Sequence, residues 1–81
     1  MCTADRYIFH LLTPVGGVND LARADFQSLD EARAEAILVA QELLRRAASE
    51  GRNVSDYAIE ICNEAGKTLS VVTFRQARQQ S

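Results

Sequence analysis

Residues 28–51 read SLDEARAEAILVAQELLRRAASEG, and no other stretch constrains the fold as much. Ser28 is a good acceptor for a backbone N–H at a helix start, and Glu31 stands three residues on, the spacing of a capping box. Asp30 and Glu31 bring negative charge to the first turn and Arg45 and Arg46 bring positive charge late, as the helix dipole favours. Gly51 offers a left-handed stop. These signals predict a helix from about Leu29 to Ser49. At ~100° per residue, Leu29, Ala32, Ala36, Ala40, Leu43 and Ala47 gather in one direction, flanked by Val39 on one side and by Ile37 and Leu44 on the other. A stripe this rich in alanine suits a helix that lies close on a sheet. Leu38 falls in the middle of the polar face, where it reads as one exposed leucine or as a contact for a second helix.

The segments on either side supply the sheet. Tyr7 to Leu12 is aromatic and branched, and Thr13-Pro14 ends it. Pro14-Val15-Gly16-Gly17 is the strongest breaker in the chain and would close a hairpin onto a short second strand near Val18 to Leu21. Ala22-Arg23-Ala24 would serve a helical turn equally well. Tyr57 to Cys62 alternates, with Tyr57, Ile59 and Ile61 on one face and Ala58, Glu60 and Cys62 on the other. Asn63 to Lys67 is a hairpin loop, with Gly66 suited to a positive φ. Thr68 to Phe74 returns, and Arg75 to Gln80 reads as one frayed helical turn. The fold class is therefore α+β, an antiparallel sheet of three to four strands with one long helix packed on one face, in the order β(β)αββ. A chain of 81 residues fits one domain, 1–81, with loose ends over 1–5 and 79–81.

Composition narrows the function classes. A formal net charge of −2 gives no general footprint for nucleic acid. No run approaches the ~18 apolar residues of a membrane span, and the start MCTADR carries no signal-peptide pattern. Cys2 and Cys62 make no disulfide framework, so the expectation is a cytoplasmic protein with two free thiols.

Several pieces spread along the chain form a pattern. They are Tyr7-Ile8-Phe9-His10-Leu11, Asp30-Glu31-Ala32-Arg33-Ala34-Glu35-Ala36, Ile59-Glu60-Ile61, Asn63-Glu64-Ala65-Gly66-Lys67 and Val72-Thr73-Phe74. In this order the chain resembles the DUF6894-like family of small uncharacterised alphaproteobacterial (rhizobial) proteins. The family tends to carry an acidic, glycine-containing stretch between the first strand and the helix; here Val18 to Asp25 has fewer acids. The resemblance implies a fold and no activity.

His10 is the only histidine. By alternation it shares a face with Ile8 and Leu12, while Tyr7, Phe9 and Leu11, the larger apolar set, should meet the helix. Glu60 and Cys62 should share the far face with His10. The first reading of His10 is structural, bonded to a neighbour such as Glu60. A Cys62–His10 dyad would still need an orienting group and an oxyanion donor. Zinc wants three or four protein ligands, and the sequence offers one histidine and one well-placed cysteine. No catalytic residue, metal or cofactor is expected on these grounds, and no phosphate-loop pattern is present. Arg33 borders the apolar stripe and reads as a snorkelling side chain, or as an ion pair fixing the helix on the sheet.

One helix covers one side of a sheet, which leaves Ile8, His10 and Leu12 on an open face. From the last strand either Val72 and Phe74 or Leu69 and Val71 would join them. Ile8, His10, Leu12, Leu38 and Val72 are the candidate interface residues, and the expected role is an interaction or structural module, a homodimer or the partner of another protein. A regulatory module that binds either nucleic acid or a nucleic-acid enzyme is the second reading. It rests on the late arginines, with Arg75 and Arg78 as the candidate basic patch beside Arg45, Arg46 and Arg52. A small enzyme using His10 and Cys62 is the third.

Overall fold

The computed structural model describes residues 5–79. The elements run β1 (Asp5–Leu12), β2 (Val18–Phe26), α1 (Leu29–Ser49), β3 (Ala58–Cys62), β4 (Thr68–Thr73) and α2 (Phe74–Gln79). The four strands form one antiparallel sheet in the order β2-β1-β3-β4. The two outer strands are thus the second partners of two hairpins, and β1 and β3 pair at the centre. α1 lies on one face of the sheet with α2 beside it, which gives a slab of 46 × 27 × 16 Å.

The helix ends where its caps say it should. Ser28 accepts from the Glu31 N–H at 3.2 Å, and the Glu31 carboxylate reaches back to the Gln27 N–H. At the other end Arg52 N–H bonds the Ala47 carbonyl and Gly51 N–H the Ala48 carbonyl, with Gly51 at φ +74°. That pair of bonds is a Schellman motif. Ala32, Ala36, Ala40 and Ala47 are buried against the sheet. Tyr7 and Phe9 of β1, Ile59 and Ile61 of β3, Val72 and Phe74 complete the core. Arg33, half-buried, donates to the Ser70 hydroxyl. It ties the helix to β4 through a neutral acceptor, where the second of the two readings had a carboxylate.

Both hairpins turn through the same five-residue loop. Thr13 N–H bonds the Gly17 carbonyl, Gly16 N–H bonds the Thr13 carbonyl, and the Thr13 hydroxyl accepts from Gly17 N–H. Asn63 N–H bonds the Lys67 carbonyl, Gly66 N–H bonds the Asn63 carbonyl, and the Asn63 side chain accepts from Lys67 N–H. The fourth loop residue is a glycine at positive φ in each, Gly16 at +83° and Gly66 at +86°.

Three expectations need correction. The second strand is nine residues long, not a short piece near Val18 to Leu21, and Ala22-Arg23-Ala24 lie within it. Asp5 opens β1 and Gln79 closes α2, so neither belongs to a loose end; residues 1–4 and 80–81 lie outside the described residues. Phe74 begins α2 instead of ending β4. Thr73 and Gln76 cap that helix reciprocally, N–H to side chain in both directions, in a T-x-x-Q capping box. Each outer strand also carries a bulge. Phe9 opposes Ala22 but His10 opposes Asp20, leaving Leu21 as the extra residue. Ile61 opposes Ser70 but Cys62 opposes Thr68, leaving Leu69 as the extra residue. A bulge resets the alternation by one position. Leu21 and Leu69 are thereby both packed against the core.

Candidate functional site

The face away from α1 collects the side chains that the register places opposite one another. Ile8, His10 and Leu12 of β1 stand between Asp20 and Val18 of β2 and Ala58, Glu60 and Cys62 of β3, with Thr68 and Val71 of β4 beyond. Val18 is 61% exposed and Val71 40%. Val72 does not join them. It opposes Ile59 and is buried on the helix side at 1% exposure, because the Leu69 bulge sets the phase of the strand. Leu38 is 59% exposed on the outer side of α1, across the slab from Ile8, so it belongs to a different surface.

His10 sits at the middle of this face, flanked on both sides by carboxylates. Its Nδ1 lies 3.4 Å from Glu60 Oε1 and its Nε2 lies 3.2 Å from Asp20 Oδ1. Both contacts are direct cross-strand pairs. Cys62 Sγ is 3.7 Å from the same Nδ1. Thr68 Oγ1 donates to the second Glu60 oxygen, Oε2, at 2.6 Å. That hydroxyl is the main reason the Glu60 carboxyl is held below its ordinary pKa, against the opposing effect of burial. Burial pushes the Cys62 thiol up. His10, Glu60 and Cys62 each bring one donor atom to within 4.8 Å of the others, which makes a mixed nitrogen, oxygen and sulfur set.

The sequence anticipates that His10, Glu60 and Cys62 share a face. Asp20 and Thr68 it does not single out. The signal for Asp20 is the length of the Thr13–Gly17 loop, from which unbroken pairing sets Asp20 opposite His10. Thr68 is set opposite Cys62 in the same way by the Asn63–Lys67 loop.

The late arginines are engaged elsewhere. Arg45 and Arg46 both pair with Glu42, and Arg45 is the foremost reason the Glu42 carboxyl is lowered. Arg52 pairs with Glu50, and Arg75 with Asp56 at 2.7 Å. Arg75 and Arg78 lie together on the exposed side of α2, and the acid beside Arg75 interrupts that patch. No helix among the described residues is long and apolar enough to cross a membrane.

A four-stranded antiparallel sheet with a capped, alanine-faced helix on one side and a histidine flanked by carboxylates on the other defines a small two-layer α+β protein. The chain belongs to the family described as a domain of unknown function, DUF6894, whose model matches residues 6–75. No curated protein and no solved structure matches it.

Proposed function

We propose that this protein is a cytosolic, non-enzymatic interaction module that pairs with a second copy of itself through the open face of its sheet. The observation that carries the reading is the absence of any described element over Ile8, Leu12, Val18 and Val71. A domain of this length buries only about 60–65% of its unfolded surface, so covering this face adds stability that one chain alone lacks. A second copy fits on two grounds. The broad side of the slab, 46 × 27 Å, has room for the ~800 Å² per partner of a standard interface. Charges of both signs rim the apolar residues, Arg6 beside Asp25 and Arg23 beside Asp20, so a two-fold rotation can bring opposite charges together. A single-signed partner such as nucleic acid finds no matching field here.

The thiol supports the non-enzymatic part. A nucleophilic cysteine works as an exposed thiolate with a depressed pKa, whereas Cys62 is 2% exposed and pushed up. Its free state suits a reducing compartment. Light scattering from micromolar to sub-millimolar concentration tests the pairing. The expected result is a dimer that Ile8→Glu converts to a folded monomer. A wild-type chain that stays monomeric throughout overturns the reading.

A further inference from the structure

The structure assigns His10, Glu60 and Cys62 as a three-ligand site for a zinc-class divalent cation, formed within one chain and oriented by Asp20 and Thr68. The argument begins with distances. His10 Nδ1 is 3.4 Å from Glu60 Oε1 and 3.7 Å from Cys62 Sγ. The nitrogen–oxygen contact is long for a hydrogen bond, while the nitrogen–sulfur contact lies within the range of one to sulfur. They match the edges of a tetrahedron around zinc, which bond lengths of about 2.0–2.3 Å put at about 3.4 Å for nitrogen to oxygen and about 3.6 Å for nitrogen to sulfur. The three donor atoms all lie within 4.8 Å of one another.

The surroundings are those a ligand set needs. A metal-bound imidazole characteristically gives its other N–H to a carboxylate, which fixes the ring and raises its basicity. His10 Nε2 has Asp20 Oδ1 at 3.2 Å for that purpose. A ligating carboxylate is itself held by a hydrogen bond, and Thr68 donates to Glu60 Oε2, the oxygen that does not face the imidazole. The ligands come from two paired central strands at adjacent register positions, and rigid neighbours of this kind position donors better than loops do. A count of one histidine and one cysteine leaves out Glu60, the third donor. Imidazole with thiolate selects zinc, cobalt or a similar ion over magnesium and calcium, which prefer oxygen donors alone. Three protein ligands leave one coordination position for a solvent molecule. Binding replaces the Cys62 thiol proton by the metal, and that proton leaves to solvent.

Cobalt(II) titrated into the full chain and into Cys2→Ser, where Cys62 is the one remaining thiol, tests the site. The expected result is saturation at one ion per chain, with a thiolate-to-cobalt charge-transfer band and the intense visible bands of a four-coordinate ion, displaced by zinc. In the Cys2→Ser background, Cys62→Ser removes the charge-transfer band. His10→Gln and Glu60→Gln, whose folding circular dichroism can confirm, weaken binding at least ~10-fold. Asp20→Asn weakens it by roughly 10–100-fold. A spectrum no different from the aqueous ion, a charge-transfer band that survives Cys62→Ser, or unchanged affinity in folded His10→Gln and Glu60→Gln overturns the assignment. Saturation at half an ion per chain also overturns it, since the ligands would then come from two copies. The ion count is read independently of whether the chain is a monomer or a dimer.

Discussion

Cys62 lies on the open face of the sheet and is nevertheless 2% exposed, covered by its neighbours Ile8, His10 and Thr68. Without metal its thiol is also pushed up by burial. Both properties slow its reaction with electrophiles, because alkylation needs an exposed thiolate. In a Cys2→Ser background, iodoacetamide should modify native Cys62 at least ~100-fold more slowly than the denatured chain, the protection that a local opening of about 3 kcal/mol confers. Equal rates would mean that the thiol is not covered as described. This residue shows what alternation can and cannot reveal. Period-two reading of Tyr7–Leu12 and Tyr57–Cys62 is enough to place His10, Glu60 and Cys62 on one face. Asp20 and Thr68 are placed by the five-residue loops, which fix Asp20 opposite His10 and Thr68 opposite Cys62. The bulges at Leu21 and Leu69 reset only the residues beyond them, and no local pattern announces them. The Leu69 bulge explains why Val72, a candidate for the open face, lies instead beneath the helix.

Among the elements, α1 was the most legible because both of its ends are written locally, in Ser28, Glu31 and Gly51. Its packing is written locally too. Ala32, Ala36 and Ala40 are at zero exposure, so the helix backbone approaches the sheet as closely as a methyl group allows. Ala36→Leu should therefore destabilise the protein by about 1–3 kcal/mol through overpacking, despite its good helix propensity. A urea melt that left the midpoint unchanged would refute the close contact. The hairpin loops give a second test of a different origin. A Cβ at Gly16 or Gly66 would meet no atom within 4 Å, yet both residues have positive φ. Gly66→Ala should then cost about 1–2 kcal/mol from the backbone conformation alone, a loss measurable in the same melt. β2 was the least legible element. Its charges at Asp20, Arg23 and Asp25 suit an outer strand, but the residues between them, Ala22 and Ala24, are small and exposed, so no apolar stripe marks the segment as a strand. Only its pairing with β1, a tertiary fact, decides against the helical turn.

At the scale of the molecule, one helical layer on a four-stranded sheet leaves the other side uncovered by any described element. The family match over residues 6–75 covers nearly all of that architecture, so open face and helix face both belong to the matched family domain. If a second copy covers the face, folding and association are linked, and stability must depend on protein concentration. The thermal midpoint should rise as the chain is concentrated from micromolar to sub-millimolar, and Ile8→Glu should abolish that dependence while the monomer keeps its helix signal. Metal binding within one chain acts differently: it raises the midpoint with ion concentration at any fixed protein concentration, by mass action on the folded state. Titrating protein and ion separately thus assigns each contribution to its own source. A midpoint insensitive to protein concentration rules out the self-association, and one insensitive to zinc rules out the His10–Glu60–Cys62 site.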